Sequence, residues 1–202
     1  FSIIQACEAA SLFGFTTSSH RDLLNADAVV LPGVGAFKDA MDSLTRLDLI
    51  SPLLDIVDSG KPLLAICLGL QLLMSESYEF GRHKGLGVIE GEVISLKSNM
   101  INKGLAKVPQ IGWNQIFPAI QGLETWDKTL LKNLSYGEFM YFVHSYYAIP
   151  ANSSVITSVS EYAGIKFCSS LMYENIFASQ FHPERSGEAG LQIYKNLADQ
   201  LA

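Results

Sequence analysis

Leu63-Leu64-Ala65-Ile66-Cys67-Leu68-Gly69-Leu70-Gln71 is the stretch on which the fold turns. Residues 62–66 form a short apolar run opened by a proline, the pattern of a strand buried on both faces. Residues 68–75 read as a helix. Cys67 stands at the junction, and Gly69 lets the helix pack close behind a sharp turn. This is the strand–turn–helix of a nucleophile elbow, with sulfur in place of the serine oxygen.

Upstream, Ala28-Val29-Val30-Leu31 is a second buried strand, running into Pro32-Gly33-Val34-Gly35. Residues 2–13 carry apolar positions at helical spacing with Gly14 as a stop, and residues 39–57 read as helical with a break near Ser51-Pro52. Strand and helix alternating at this spacing predict a parallel sheet with helices on both faces. Downstream, residues 86–96, 110–117, 139–148, 155–160, 165–171 and 176–181 read as strands, and residues 188–201 as a closing helix. The expected fold is α/β, a three-layer sandwich around a central mixed, mostly parallel sheet. With no repeat or linker, residues 1–202 read as one domain.

The chain has 202 residues, 49% hydrophobic and 17% charged, with a formal net charge of −6. That composition excludes intrinsic disorder. An acidic chain without a Lys/Arg run is a poor partner for nucleic acid or an anionic membrane. The longest uncharged apolar stretch, residues 62–75, is too short to span a bilayer. Three cysteines, Cys7, Cys67 and Cys168, make neither a disulfide framework nor a metal site. Reduced thiols in the cytoplasm are expected, with no metal and no cofactor.

Two readings stand for Cys67. It is either a buried core cysteine on an apolar strand or a nucleophile presented at the end of the sheet. In the second case it lies at a helix N-terminus, where the macrodipole favours thiolate and the Leu68 N–H can face a developing oxyanion. Cys7 and Cys168 lack this context and read as core. A thiol nucleophile needs a base, and the base needs an orienter. His20 and His83 lie in polar segments, and His144 lies among aromatics where a structural role serves equally well. His182 is followed by Pro183 and Glu184. The proline holds the chain extended, so His182 and Glu184 share a side, and the carboxylate can fix the imidazole tautomer.

Together these motifs resemble the class I, triad-type glutamine amidotransferases, and among them the glutaminase subunits of imidazole glycerol phosphate synthases. The resemblance rests on residues 31–37, 62–73, 109–114 (Pro-Gln-Ile-Gly-Trp-Asn), 141–146 and 180–185, in that order. It implies that Cys67 attacks the glutamine side-chain amide, His182 moves the proton, and Glu184 orients His182. It implies an oxyanion hole from the Leu68 N–H and one N–H of Gly33-Val34-Gly35. Gln71, Glu79 and the Ser145 backbone match substrate-binding positions. Gln71 could otherwise be a solvent-facing helix residue, and Glu79 a loop charge. Trp113, Asn114 and Arg185 match positions near the interface with a (β/α)8-barrel cyclase subunit, in a heterodimer that makes imidazole glycerol phosphate for histidine biosynthesis. The same glutaminase chemistry could serve another synthase, such as one amidating a surface-polysaccharide sugar. A catalytically dead scaffold and a stand-alone cysteine hydrolase are further readings, disfavoured by the intact triad and by Gln71 and Glu79. Three departures from the family pattern stand out. A strand and loop expected ahead of the first helix are missing before Phe1, Ala65 stands where glycine is commoner, and Arg185 stands where lysine is more usual.

Overall fold

The computed structural model describes residues 2–99, 107–119 and 126–202. In chain order the elements are α1 (Ser2–Ala9), α2 (His20–Asn25), β1 (Val29–Gly33), α3 (Phe37–Arg46), α4 (Ile50–Asp58), β2 (Leu63–Cys67), α5 (Leu68–Leu72), β3 (Met74–Ser77), β4 (His83–Lys84) and β5 (Ile89–Ser95). Then follow α6 (Leu96–Asn99), β6 (Gln110–Pro118), β7 (Glu138–His144), β8 (Tyr146–Pro150), β9 (Ile156–Tyr162), β10 (Ile165–Tyr173), β11 (Ile176–Ser179) and α7 (Gly187–Leu201).

β2 is buried at every position and lies between β1 and β11, parallel to both. Its side chains alternate between two cores. Leu64 and Ile66 join Cys7, Ile193, Tyr194 and Leu197 beneath α1 and α7. Leu63 and Ala65 join Phe37, Leu53 and Ile56 beneath α3 and α4. The strand's period of two therefore builds the three layers that its unbroken apolar run predicts. Ala65 is fully buried in the second of these cores, so the methyl in place of a hydrogen is accommodated.

The seven-stranded sheet runs β1-β2-β11-β10-β9-β6-β7. Parallel pairing is confined to β1, β2 and β11, and the pairs from β11 outward to β7 are antiparallel. A four-stranded sheet, β4-β3-β5-β8, packs beside it. The mixed α/β sandwich holds, but the sheet is not mostly parallel: two of its six strand pairs are parallel and four antiparallel, because the downstream strands pair antiparallel with one another.

Several boundaries differ from the sequence reading. The helix expected over 68–75 stops at Leu72, and Met74–Ser77 is a strand. The carbonyls of Leu72, Leu73 and Met74 accept from the N–H groups of Leu86, Ile89 and Gly87, so tertiary bonds replace the next helical turn. The single strand expected over 139–148 is two strands in different sheets, broken at Ser145, whose carbonyl accepts from Leu96 N–H. The break in 39–57 falls at Leu47–Leu49 rather than at Pro52, with Asp48 at φ 54°. α1 ends at Ala9, ahead of Ser11 at φ 61°. The short α2, N-capped by Ser19 through Asp22 N–H, carries too few apolar residues to show a period.

Gly69 is among the tightest points of the layered core. A Cβ there would sit 2.0 Å from the Leu31 carbonyl oxygen. Gly69→Ala must push α5 away from β1, and we expect it to cost at least about 1–3 kcal/mol, read as a lower urea midpoint at unchanged m-value.

Candidate active site

The elbow lies at the C-terminal end of β2, where Gly33 of β1 pairs with Cys67. Cys67 has φ 56° and ψ −105°, a left-handed backbone that L-residues avoid. Such a conformation costs about 1–3 kcal/mol and persists only when its surroundings over-determine it. Here the apolar β2 fixes one side and the close approach of Gly69 to Leu31 fixes the other. All three cysteines are free and buried, so burial does not distinguish Cys67; its backbone does. Burial pushes the Cys168 thiol up to about 12 and raises Cys7 as well, which leaves both as inert core groups.

His182 and Glu184 flank Pro183 as expected. His182 Nδ1 and Glu184 Oε1 are 2.8 Å apart, both side chains almost wholly buried. With the carboxylate as acceptor, Nδ1 carries the proton and Nε2 is the basic atom. Burial disfavours the imidazolium, but contact with the Cys67 sulfur and then with Glu184 outweighs it and holds the His182 pKa up at about 9. Nε2 itself has no bond of hydrogen-bonding geometry, which leaves it available for the thiol proton. The segment is clamped onto β7: His182 N–H donates to Tyr141 C=O (2.9 Å), and Ser186 Oγ accepts from Tyr141 N–H (2.9 Å) while donating to His182 C=O (2.7 Å). Gly190 allows α7 to close on this segment, since a Cβ there would lie 2.0 Å from Pro183 C=O.

Around the sulfur, Cys67 Sγ lies 3.8 Å from Val143 C=O, and Gln180 Nε2 lies 3.6 Å from Sγ. Gln71 does not face solvent. It is buried, and its Nε2 donates to Tyr146 C=O (2.9 Å) and to Gln180 Oε1 (3.0 Å). Glu79 is not a free loop charge: its Oε2 accepts from Phe37 N–H (2.6 Å) at the start of α3, just past the glycine loop. That loop carries Val34, 85% exposed, and Gly35 at φ 96°. Gly33 packs on Leu68, where a Cβ would meet the Leu68 Cβ at 2.8 Å. Ser145 is the residue at which the chain leaves one sheet for the other. A cavity of about 310 Å³ lies at the opposite end of β2, around Leu63, Leu130 and Asn175, remote from this chemistry.

The interface candidates divide. Trp113 (57% exposed) pairs with Tyr141 across β6–β7, their rings edge-to-face at 5.9 Å. Arg185 lies over the Tyr141 ring, Cζ 5.0 Å from its centroid. Ile111 and Phe139 extend the apolar face. Asn114 pairs with the buried Met140 on the opposite face, and its Nδ2 donates to Glu161 C=O. Sequence reasoning missed Gln180 as a contact of the sulfur and missed the bond between Glu79 and α3. It left His144 open, and the structure settles it as structural: Nδ1 bonds Tyr146 C=O and Nε2 faces Gln110. Among the described residues no group of three His, Cys, Asp or Glu side chains could hold a metal, and no helix is long and apolar enough to cross a membrane.

A left-handed cysteine elbow facing a His–Glu pair and a glycine loop defines a class of enzyme as much as a fold. Residues 9–201 match the family model of the class-I glutamine amidotransferases, and the chain belongs to that family. Among its sequence relatives is the imidazole glycerol phosphate synthase subunit HisH 1 of Legionella pneumophila (strain Lens), 46% identical over 176 residues, which are 87% of this chain and 82% of the relative. The subunit HisH of Aquifex aeolicus is 43% identical over 199 residues, 96% of this chain and 88% of the relative. Among solved structures, PurLQS from Thermotoga maritima shares the fold with a TM-score of 0.68 at 16% identity, covering 100% of this chain and 92% of that one.

Burial holds the pKa of His144 down at about 4 from 6.5. Between those values the folded ring stays neutral while the unfolded chain takes up a proton. Stability should therefore fall as pH drops from 6.5 towards 4, by at most about 1.4 kcal/mol per unit. His182 governs the other limb: its raised pKa adds stability that is full below 6.5 and is lost as pH climbs through about 9. Urea titrations of His144→Gln should show a flatter acid limb and an unchanged alkaline one.

Proposed function

We propose that the chain hydrolyses glutamine to glutamate and ammonia with Cys67, His182 and Glu184, and passes the ammonia to a (β/α)8-barrel cyclase subunit that makes imidazole glycerol phosphate in histidine biosynthesis. The observation that carries this reading is the elbow: a strained Cys67 beside an imidazole whose far nitrogen is held by Glu184 at 2.8 Å. His182 Nε2 takes the thiol proton, and Sγ attacks the side-chain amide carbon. The oxyanion forms against the Leu68 N–H and an N–H of Gly33-Val34-Gly35, the loop beside Cys67 in the sheet. His182 returns the proton to the amide nitrogen, ammonia leaves, and a glutamyl thioester remains. Water, deprotonated by His182, then releases glutamate and restores the thiol. Gln71, Glu79 and the Ser145 backbone bind the amino-acid end of the substrate.

Ammonia released into water at neutral pH becomes ammonium and loses its nucleophilicity, so a sealed handover to a synthase suits this chemistry. The exposed face of Trp113, Tyr141, Ile111 and Phe139, with Arg185 at its edge, is apolar, aromatic and directly behind the triad, as a partner-binding face requires. Asn114 supports that face from behind through Glu161. The two relatives named above are subunits of this one synthase type, which favours it over a polysaccharide-sugar synthase. Three free cysteines suit a cytoplasmic setting.

A glutamine-analogue electrophile such as a diazo-oxo-norleucine should label Cys67; peptide mapping that finds the adduct on Cys7 or Cys168 would overturn the elbow reading. Cys67→Ala should abolish glutamine-dependent synthesis by the complex and leave ammonia-dependent synthesis intact. Trp113→Ala should weaken binding of the barrel cyclase roughly 10- to 100-fold, measured by titration calorimetry, while the thermal midpoint of the isolated chain changes little.

A further inference from the structure

We propose that Gln180 is a further catalytic residue of this site: its side-chain N–H donates to the Cys67 sulfur, and Gln71 holds it in the orientation that makes this possible. The proposal rests on the reading of Cys67 as the nucleophile. Gln180 has no solvent exposure and lies directly after β11, the parallel neighbour of β2, with its main-chain N–H donating to Ser169 C=O. Its side chain crosses to the elbow and ends with Nε2 3.6 Å from Sγ.

A buried amide has two possible orientations, and only one presents a donor to sulfur. The choice is fixed from a distance. Tyr146 C=O can only accept, so the amide end of Gln71 that meets it at 2.9 Å must be the NH2. The second N–H of that group points at Gln180, which must answer with Oε1, at 3.0 Å. Nε2 is then left to face Sγ. A carbonyl on β8, in the smaller sheet, thus sets the polarity of the group beside the nucleophile.

An amide N–H bonds weakly to a thiol and more strongly to a thiolate, because bonds to a charged acceptor are the stronger ones. The donor therefore acts in two states, the thiolate before attack and the thiolate expelled when the thioester breaks. Gln71 is also the residue proposed to receive the substrate's amino-acid end. A glutamine that pulls on Gln71 acts on Gln180 through a single hydrogen bond, so the sulfur responds to whether substrate is present.

The test compares wild type with Gln180→Met, which keeps the length and removes the donor, and with Gln180→Glu, which keeps the shape and presents acceptor oxygens. The rate of alkylation by iodoacetamide is followed against pH, with the adduct mapped, alongside steady-state glutaminase kinetics in the complex. For Gln180→Met the midpoint of the Cys67 alkylation profile should rise by about one pH unit, and kcat should fall about tenfold or more with KM changed much less. Gln180→Glu should raise the midpoint further. Gln71→Met, which leaves Cys67 and Gln180 in place, should shift it in the same direction by a smaller amount. A midpoint unmoved in both Gln180 variants overturns the proposal, even if stability falls, because a merely structural amide would not alter the titration of the sulfur. Failure of the underlying reading looks different: wild-type adducts would map to Cys7 or Cys168.

Discussion

The structure depends on one contact, the approach of the α5 backbone at Gly69 to the carbonyl of Leu31. No side chain fits between them, since even a Cβ would lie 2.0 Å from that oxygen. The closeness lets α5 begin immediately after β2 and forces Cys67 into a left-handed backbone. The strain is held by burial on both sides of β2, in two apolar cores that the alternating side chains of a single strand keep apart. Everything chemically active is gathered at that strand end. The glycine loop follows β1, Gln180 and His182 follow β11, and the carbonyl of Val143 comes from β7. A parallel sheet delivers its strand ends to one edge, which is why ligands gather there in open α/β folds.

How much of this could be read from the residues depends on the range of the interactions involved. β2 and the elbow were legible because an unbroken apolar run, a cysteine and a glycine encode them locally. The pairing of His182 with Glu184 was legible because an extended prolyl segment puts residues two apart on one side. The break at Ser145 was not, because 139–148 keeps a strand-like composition throughout; the chain changes sheet only because Leu96 N–H claims the Ser145 carbonyl from 49 residues away. The end of α5 at Leu72 has the same kind of cause, a loop whose N–H groups capture carbonyls the helix would have used. Gln180 lay inside a quoted motif, yet its neighbour in space is Cys67, 113 positions earlier. Asn114 and Trp113 are adjacent in sequence and fall on opposite faces of one ribbon, a separation that strand pairing reveals.

The site is built from buried polar groups that would each be costly alone. Gln71, Gln180, His144 and Gln110 are all almost fully buried, and a buried polar group left unpaired costs about 1–3 kcal/mol. They are affordable as a network because one carbonyl, that of Tyr146, receives both Gln71 and His144. Gln110 Oε1 lies 3.1 Å from His144 Nε2; since the neutral ring donates from Nδ1, its Nε2 can only accept, so the Gln110 amide satisfies it when turned to present its N–H. Such networks fix a unique arrangement when fully satisfied. Here the arrangement joins the two sheets at the nucleophile.

Tyr141 has a consequence of a different kind. Its ring lies on the outer apolar face in contact with both Trp113 and Arg185, while its own peptide groups hold both ends of the His182 segment. The surface proposed for the partner and the scaffold of the general base are thus one residue thick. Anything that presses on the ring is felt by the imidazole with no intervening relay. Thermodynamic linkage makes such coupling reciprocal: a reaction intermediate that draws His182 towards the sulfur changes the grip on the partner by the same factor. Partner affinity and the position of the general base are therefore two readings of one residue's placement.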